Sequence, residues 1–228
     1  MSKFYFLFRR IIDFMFALFM LVILLVPFII IGICIKVDSK GPVFFLQERI
    51  GKNGKVFKMI KFRSMIVGAQ KTGTGVYSFE HDIRITKVGK FIRKTSIDEL
   101  PQIINVLIGN MAFVGPRAPV YGHFPEYNLL PSYAKKRFSV LPGITGLSQC
   151  ERRNEVTWEE KIKLDNKYID SVTKYGLFYD IKIWFLTIKR VLSKSGVEEN
   201  ENNQKINDDF FRKLISDGEK EKEGNYEN

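Results

Sequence analysis

Cysteine and histidine are scarce in this 228-residue chain, with two of each. Cys34 and Cys150 lie far apart and form no disulfide framework, while His81 and His123 stand outside any zinc-ligand spacing. The compartment is therefore read as reducing. No Walker-type or G-x-G-x-x-G loop occurs, so bound phosphates would be held by Arg, Lys and a helix N-terminus instead of a glycine cradle. No run of small residues follows the N-terminal apolar segment as a signal-peptidase site requires, so that segment is read as retained. The chain contains no internal repeat.

Charge is missing altogether between Phe14 and Ile35. Those 22 residues would make about 33 Å of helix, enough to cross a hydrocarbon core of ~30 Å. Pro27 falls in the middle, where it removes a hydrogen bond that lipid cannot replace. Basic residues flank both ends: Lys3, Arg9 and Arg10 before, and Lys36, Lys40, Arg49, Lys52, Lys55 and Lys58 after. Cytoplasmic flanks attract Lys and Arg, so a helix that enters, bends at Pro27 and returns is favoured over a kinked single span.

Elsewhere the charge divides sharply. The net charge is +11, yet residues 197–228 hold 10 acidic and 5 basic side chains, leaving residues 1–196 at +16. The acidic end is poor in apolar positions and is predicted to be largely disordered, with at most a short helix near 208–215. The basic body points to nucleic acid, anionic lipid or phosphorylated substrates.

In the body, two short strands are predicted around a turn at Asn53-Gly54, a strong hairpin signal. Residues 67–80 read as a mobile Gly- and Thr-rich loop. Helical spacing recurs near 88–94 and through Leu100, Ile103, Ile104, Leu107 and Ile108. Thr157 and Glu160 form a capping-box pattern that opens another helix. The last helix, from about residue 177 to 195, carries Ile181, Trp184, Phe185, Ile188 and Leu192 in one stripe, with lysines elsewhere. Such a stripe suits a membrane interface or a protein core equally.

Several residues have the chemistry of a site, each with a plainer alternative. Asp98 and Glu99 stand at a helix start, as a catalytic pair or as part of a Ser96–Glu99 capping box. Pro101 favours a start at Asp98, where the missing N–H costs nothing and the dipole favours an ionised carboxylate. Arg117 sits in the stiff "GPRAP" turn, placed for bidentate phosphate binding or simply solvated. Lys61 and Arg63 alternate with Phe62 on one strand face, which would bind a diphosphate or face water. Arg93 lies just upstream of the acidic pair. Asp165 and Asp180 are weaker candidates for metal or substrate contact.

Taken in order, "QERIGKNGKVFKMIKFRSM", "RKTSIDELPQIINVLIGNMAFVGPR", "LPGITGLSQ", "KLDNKYI" and "YDIKIW" resemble the bacterial sugar transferase family, the monotopic polyprenyl-phosphate phosphoglycosyl transferases. The chain resembles its minimal, single-domain form. The resemblance implies an α+β fold in three parts. These are a re-entrant membrane-helix hairpin over residues 1–36, broken at Pro27, a compact cytoplasmic domain over 37–196 with a small β-hairpin and amphipathic interfacial helices, and the polar tail over 197–228.

The resemblance further implies Asp98 and Glu99 as catalytic and Mg²⁺-holding residues. Lys61, Arg63, Arg93, Arg117, Gln149 and Asp165 are then the substrate-binding residues. The substrates would be a UDP-sugar and undecaprenyl phosphate at the cytoplasmic face of the inner membrane. UMP would be released through an aspartyl-phosphosugar, with downstream glycosyltransferases as further partners. Two departures stand out: Val26 precedes Pro27 where serine is usual, and Ala118 replaces the second proline of a Pro-Arg-Pro turn. The latter is expected to loosen the turn. Rival classes are a tethered nucleic-acid binder, disfavoured by aromatics clustered in the apolar segment, and a silent scaffold.

Overall fold

A computed structural model describes residues 3–72, 75, 82–152, 157–192 and 202–224. Helix α1 (Lys3–Asp38) is one element of 36 residues that runs through Pro27 instead of splitting there into two arms. One face of it is covered along its whole length. Arg9, Asp13, Ala17, Phe28, Gly32 and Ile35 are buried, with Leu21 and Leu24 half-buried between them. Those steps of three and four residues are a helical repeat, so a single continuous stripe packs on the rest of the molecule. Leu7, Met15, Phe19, Val22, Ile29 and Ile33 form the bare opposite face, and Pro27 is exposed at the edge of the buried stripe.

Both ends of α1 are fastened to the same body. At the N-terminal end, Arg9 donates to the Val114 carbonyl and lies 3.2 Å from Asp180. Arg10 donates to the carbonyls of Val106 and Leu107. At the other end the Val88 N–H donates to Asp38 (2.9 Å). Two of the arginines that flank the apolar run, Arg9 and Arg10, thus bond to protein carbonyls, and Arg9 also pairs with Asp180.

Strands β1 (Phe44–Ile50) and β2 (Val56–Phe62) pair antiparallel, from Phe44 opposite Phe62 to Ile50 opposite Val56. The turn is where the sequence put it, with positive φ at Asn53 (54°) and Gly54 (77°). Helix α2 (Lys87–Lys94) and helix α3 (Gln102–Ile108) follow. A second, two-stranded parallel sheet pairs β3 (Ala112–Val114) with β4 (Gly143–Thr145). Between them lies the short helix α4 (Ser132–Lys135).

Helices α5 (Leu147–Arg152), α6 (Trp158–Tyr175) and α7 (Leu177–Leu192) complete the body. The predicted capping box opens α6, with Thr157 and Glu160 bonded to each other's backbone N–H. On α7, Ile183 is fully buried while Phe178, Ile181, Phe185 and Ile188 are exposed. The apolar stripe therefore faces outward, next to α1, with Trp184 edge-on to Phe16 at 5.4 Å.

The acidic tail is not the disordered segment its composition implied. Helix α8 (Asn202–Gly224) packs Phe210, Leu214 and the half-buried Phe211 against the cluster of Ile50, Phe124, Leu130, Ala134, Phe138 and Ile162. Three apolar side chains in register find a complementary surface that composition alone cannot report. The loop read as mobile is stapled where it is described: buried Arg84 donates to the carbonyls of Ala69, Thr72 and Gly75. Residues 73–74 and 76–80 of that loop lie outside the described residues.

Arg63 also has a different task from the one expected. It is buried, and its guanidinium donates to the carbonyls of Ser39 (2.7 Å), Lys40 (2.6 Å) and Ile35 (3.4 Å). It closes the C-terminus of α1, where carbonyls lack intrahelical partners. Strand β2 ends at Phe62, so Arg63 leaves the face of Lys61 and turns to the helix. Arg63→Met should lower unfolding stability by about 2–3 kcal/mol, the worth of its charge-assisted bonds to the chain end of α1. Denaturant unfolding in detergent micelles would read this, and an unchanged midpoint would contradict the capping role.

Candidate active site

The site is assembled from three stretches. Strand β2 supplies Lys61, the junction of α2 and α3 supplies Arg93, Asp98 and Glu99, and the turn after β3 supplies Arg117. The junction is tightly wound. Ser96 takes the left-handed conformation (φ 57°, ψ 17°), uncommon outside glycine, and a 3₁₀ turn over Ile97–Glu99 leads into Pro101 and α3. Neither a Ser96 side-chain cap nor a helix starting at Asp98 forms. The strained residue stands directly before the acidic pair, a common place for strain at functional sites.

One oxygen of Glu99 receives two cations. Lys61 Nζ donates to Glu99 Oε1 at 2.8 Å, and Arg117 Nη2 donates to the same atom at 2.9 Å. Burial alone would raise the Glu99 carboxyl, but Arg117 and Lys61 together hold it well below the usual carboxylate range. Burial pulls the Lys61 ammonium down, against the opposing pull of Glu99. Asp98 behaves differently. Burial pushes its carboxyl up to about 6, against the attraction of Lys61, Arg93 and Arg117 and with the help of the Glu99 charge. A dipole-stabilised, fully ionised Asp98 was the expectation; in a short 3₁₀ turn the dipole is weak and desolvation prevails. Two adjacent carboxylates thus differ, Glu99 locked as an anion and Asp98 poised near neutrality.

The Arg117 turn is gripped from both sides. Arg49 Nη1 donates to the Ala118 carbonyl at 2.7 Å, and Arg137 Nη2 donates to the Arg117 carbonyl at 2.8 Å. The Ile50 N–H donates to Pro119, and the Gly143 N–H to Pro116. Ala118 in place of proline does not leave the turn unsupported, because hydrogen bonds fix what a ring would have fixed. Sequence reasoning missed both arginines. For Arg49 a signal existed: strand alternation puts Gln47 and Arg49 on the same inward face, where Gln47 Oε1 accepts from Arg49 Nε. For Arg137 there was none.

Three other sequence candidates lie elsewhere. Asp165 is buried, 2.7 Å from Arg137 and accepting from Ser148 Oγ at 3.0 Å. It is a structural counter-ion and not an open substrate contact, since a buried arginine needs a charge partner. Gln149 donates to the Ile144 carbonyl and so braces the loop before α5. Asp180 accepts from Tyr5 and Tyr168 and pairs with Arg9. It binds α1 to α6.

Among the described residues no group of three or more His, Cys, Asp or Glu gathers to cage a metal. That suits Mg²⁺ held by one or two carboxylates and substrate phosphates better than an all-protein site. Asp98 and Glu99 fit such a role. Both described pairings of Glu99 fall on Oε1, which leaves Oε2 for a cation.

The sequence matches the family model of bacterial sugar transferases over residues 4–194. It is 47% identical over 170 residues to the galactosyl transferase CpsE of Streptococcus agalactiae serotype III, covering 69% of this chain and 36% of that protein. The uncharacterized sugar transferase EpsL of Bacillus subtilis is 38% identical over 193 residues, with 84% and 90% covered. The UDP-glucose:undecaprenyl-phosphate glucose-1-phosphate transferase of Klebsiella pneumoniae is 40% identical over 194 residues, with 82% and 41% covered. The chain thus spans nearly all of one of these relatives and well under half of the other two. Matched over almost its whole body, this chain belongs to the bacterial sugar transferase family.

Proposed function

We propose that this chain transfers a hexose phosphate from a UDP-sugar to undecaprenyl phosphate at the cytoplasmic face of the membrane, releasing UMP. The observation that carries the reading is the acidic pair, one member locked by Lys61 and Arg117 and the other left as a nucleophile. The names of the relatives, which act on UDP-glucose, galactose and undecaprenyl phosphate, supply the substrate class.

The steps follow from what each side chain can do. Arg117, with its planar fork, binds the diphosphate of the nucleotide sugar. A carboxylate oxygen of Asp98 attacks the phosphorus next to the sugar, and the bond to UMP breaks with its electron pair leaving on UMP. An aspartyl-phosphosugar remains. A phosphate oxygen of undecaprenyl phosphate then attacks the same phosphorus, forming the lipid diphosphate sugar and releasing the Asp98 carboxylate. Arg93 steers the lipid phosphate. Neither attack needs a separate base, because both nucleophiles are ionised when they react. Mg²⁺ held by Asp98 and Glu99 would neutralise charge on the diphosphate.

The same reading disposes α1 within one leaflet. A helix with both ends fastened to one domain keeps those ends on one side, and its bare face at Leu7, Phe19, Val22 and Ile33, continued by Phe178 and Phe185 of α7, would enter lipid. Cysteines placed at Lys3 and Lys40 should both be labelled from the cytoplasmic side. Labelling from opposite sides would contradict α1 lying within one leaflet.

Three measurements bear on the chemistry. UDP-glucose or UDP-galactose with undecaprenyl phosphate should release UMP; no UMP from any UDP-sugar would overturn the assignment. Arg117→Lys should cut kcat/KM by about 10²-fold or more despite the kept charge, since the fork is lost. As for pH, Asp98 must be ionised, and its raised pKa puts the acid limb of kcat/KM near 6. Below that point the rate should fall about tenfold per unit. A limb near 4 would mean that an ordinary carboxylate, and not Asp98 as it stands here, controls the reaction.

A further inference from the structure

Helix α8 is bound to the body by more than apolar contact. The Trp158 N–H donates to Asn207 Oδ1 at 2.9 Å near one end. The N–H and Oγ of Ser132 both donate to Glu221 Oε2, each at 2.8 Å, near the other. Between these ends Gly218 passes so close to the Leu129 carbonyl that an added Cβ would lie 2.1 Å from that oxygen. The docking is therefore continuous from Asn207 to Glu221, with a fitted backbone approach in the middle.

What α8 covers leads to the active site. Phe211 meets Phe124 edge-on at 5.2 Å and lies 6.1 Å from Trp158. Those two rings and Phe138 stand 5.6, 5.1 and 5.3 Å from the guanidinium carbon of Arg137, so three aromatic rings box one buried cation. Arg137 Nε and Nη1 have no hydrogen-bond partner among the described residues. The guanidinium is positioned by its rings, by Asp165 and by its bond to the Arg117 carbonyl. A small recess lined by Ile50, Pro116, Ala118, Arg137 and Phe138 adjoins that turn, so Arg137 and the turn share one packing site.

We propose that α8 is a positioning element for the active site: by closing the aromatic box around Arg137 it fixes the backbone of Arg117, and its docking sets the affinity for the nucleotide sugar. Phe211 and Arg137 are then positioning residues, with no contact to substrate. This inference rests on the reading that Arg117 binds the diphosphate. It gives the acidic tail a task in the reaction, since undocking would admit water to Arg137 and loosen the turn. A displacement of Arg117 by a fraction of an ångström weakens a bidentate contact disproportionately.

The test uses the full-length protein with Gly218→Leu, which forces α8 from the Leu129 carbonyl without touching the site. Hydrogen exchange over residues 206–221 should rise. KM for UDP-glucose or UDP-galactose, whichever is turned over, should increase about tenfold. At saturating nucleotide sugar, kcat and the KM for undecaprenyl phosphate should stay within about twofold. In an Arg137→Lys background the same substitution should add little, because the two act on one path.

A merely structural helix would lower the amount of active enzyme and leave the nucleotide-sugar KM unchanged; that result, with raised exchange, overturns the proposal. Additivity with Arg137→Lys overturns it too. Where Gly218→Leu fails to accumulate, Phe211→Ala opens only the edge of the box and must raise the same KM; an unchanged KM is again decisive against it. Arg117→Lys serves as the reference. No effect there on nucleotide-sugar kinetics removes the diphosphate reading, whereas an effect there with none in Gly218→Leu removes only the role of α8.

Discussion

Everything at the site depends on neutralising one half-buried carboxylate. Glu99 Oε1 receives Lys61 from the β-hairpin and Arg117 from the turn after β3, so a single atom joins three parts of the chain remote in sequence. A half-buried anion with two cations at hydrogen-bonding distance stays ionised, and the cations stay fixed because their partner is fixed. Removing Glu99 would take from Lys61 and Arg117 the one oxygen to which both donate and leave Asp98 as the neighbouring anion. The same anion helps to raise the carboxyl of Asp98 toward 6. Structural locking of one carboxylate and tuning of the other are one electrostatic fact.

That arrangement also explains why arginines are spent so freely on carbonyls. Arg9 and Arg10 hold α1, Arg63 closes its far end, Arg84 staples the loop after β2, and Arg49 and Arg137 grip the Arg117 turn. Short helices and irregular turns leave many backbone acceptors without partners, and a guanidinium satisfies several at once. Much of the positive charge that composition assigns to lipid or phosphate is thus internal scaffolding. Lys61, Arg93 and Arg117 are the cations drawn to the acidic pair, and the proposed function gives two of them, Arg93 and Arg117, to the substrate phosphates.

Local patterns were legible where local physics decides. Asn53-Gly54 demanded a turn because both residues take positive φ, and Thr157 with Glu160 closed a capping box whatever lay nearby. The acidic pair, Lys61, Arg93 and Arg117 were legible through ordered motifs, and the structure brings them together. Roles set by distant partners were not legible. Nothing in "KFRSM" tells that Lys61 reaches Glu99 while Arg63 turns to the end of α1. Asp165 is a counter-ion only because Arg137 is folded beside it. The tail looked disordered because three apolar residues cannot fold alone, yet they suffice for a helix that finds a ready surface. Pro27 does not divide α1 into two elements, since a helix supported along one face tolerates a missing bond on its exposed side.

The central claim is that Asp98 itself carries the phosphosugar between the two substrates. Intact-mass spectrometry of the purified enzyme, incubated with UDP-glucose or UDP-galactose and no lipid acceptor, tests it most directly. The account predicts a mass gain of one hexose phosphate per chain, mapped to Asp98, lost on adding undecaprenyl phosphate and absent from Asp98→Asn. A wild-type enzyme that never gains this mass, and forms UMP only when the lipid is present, would contradict it.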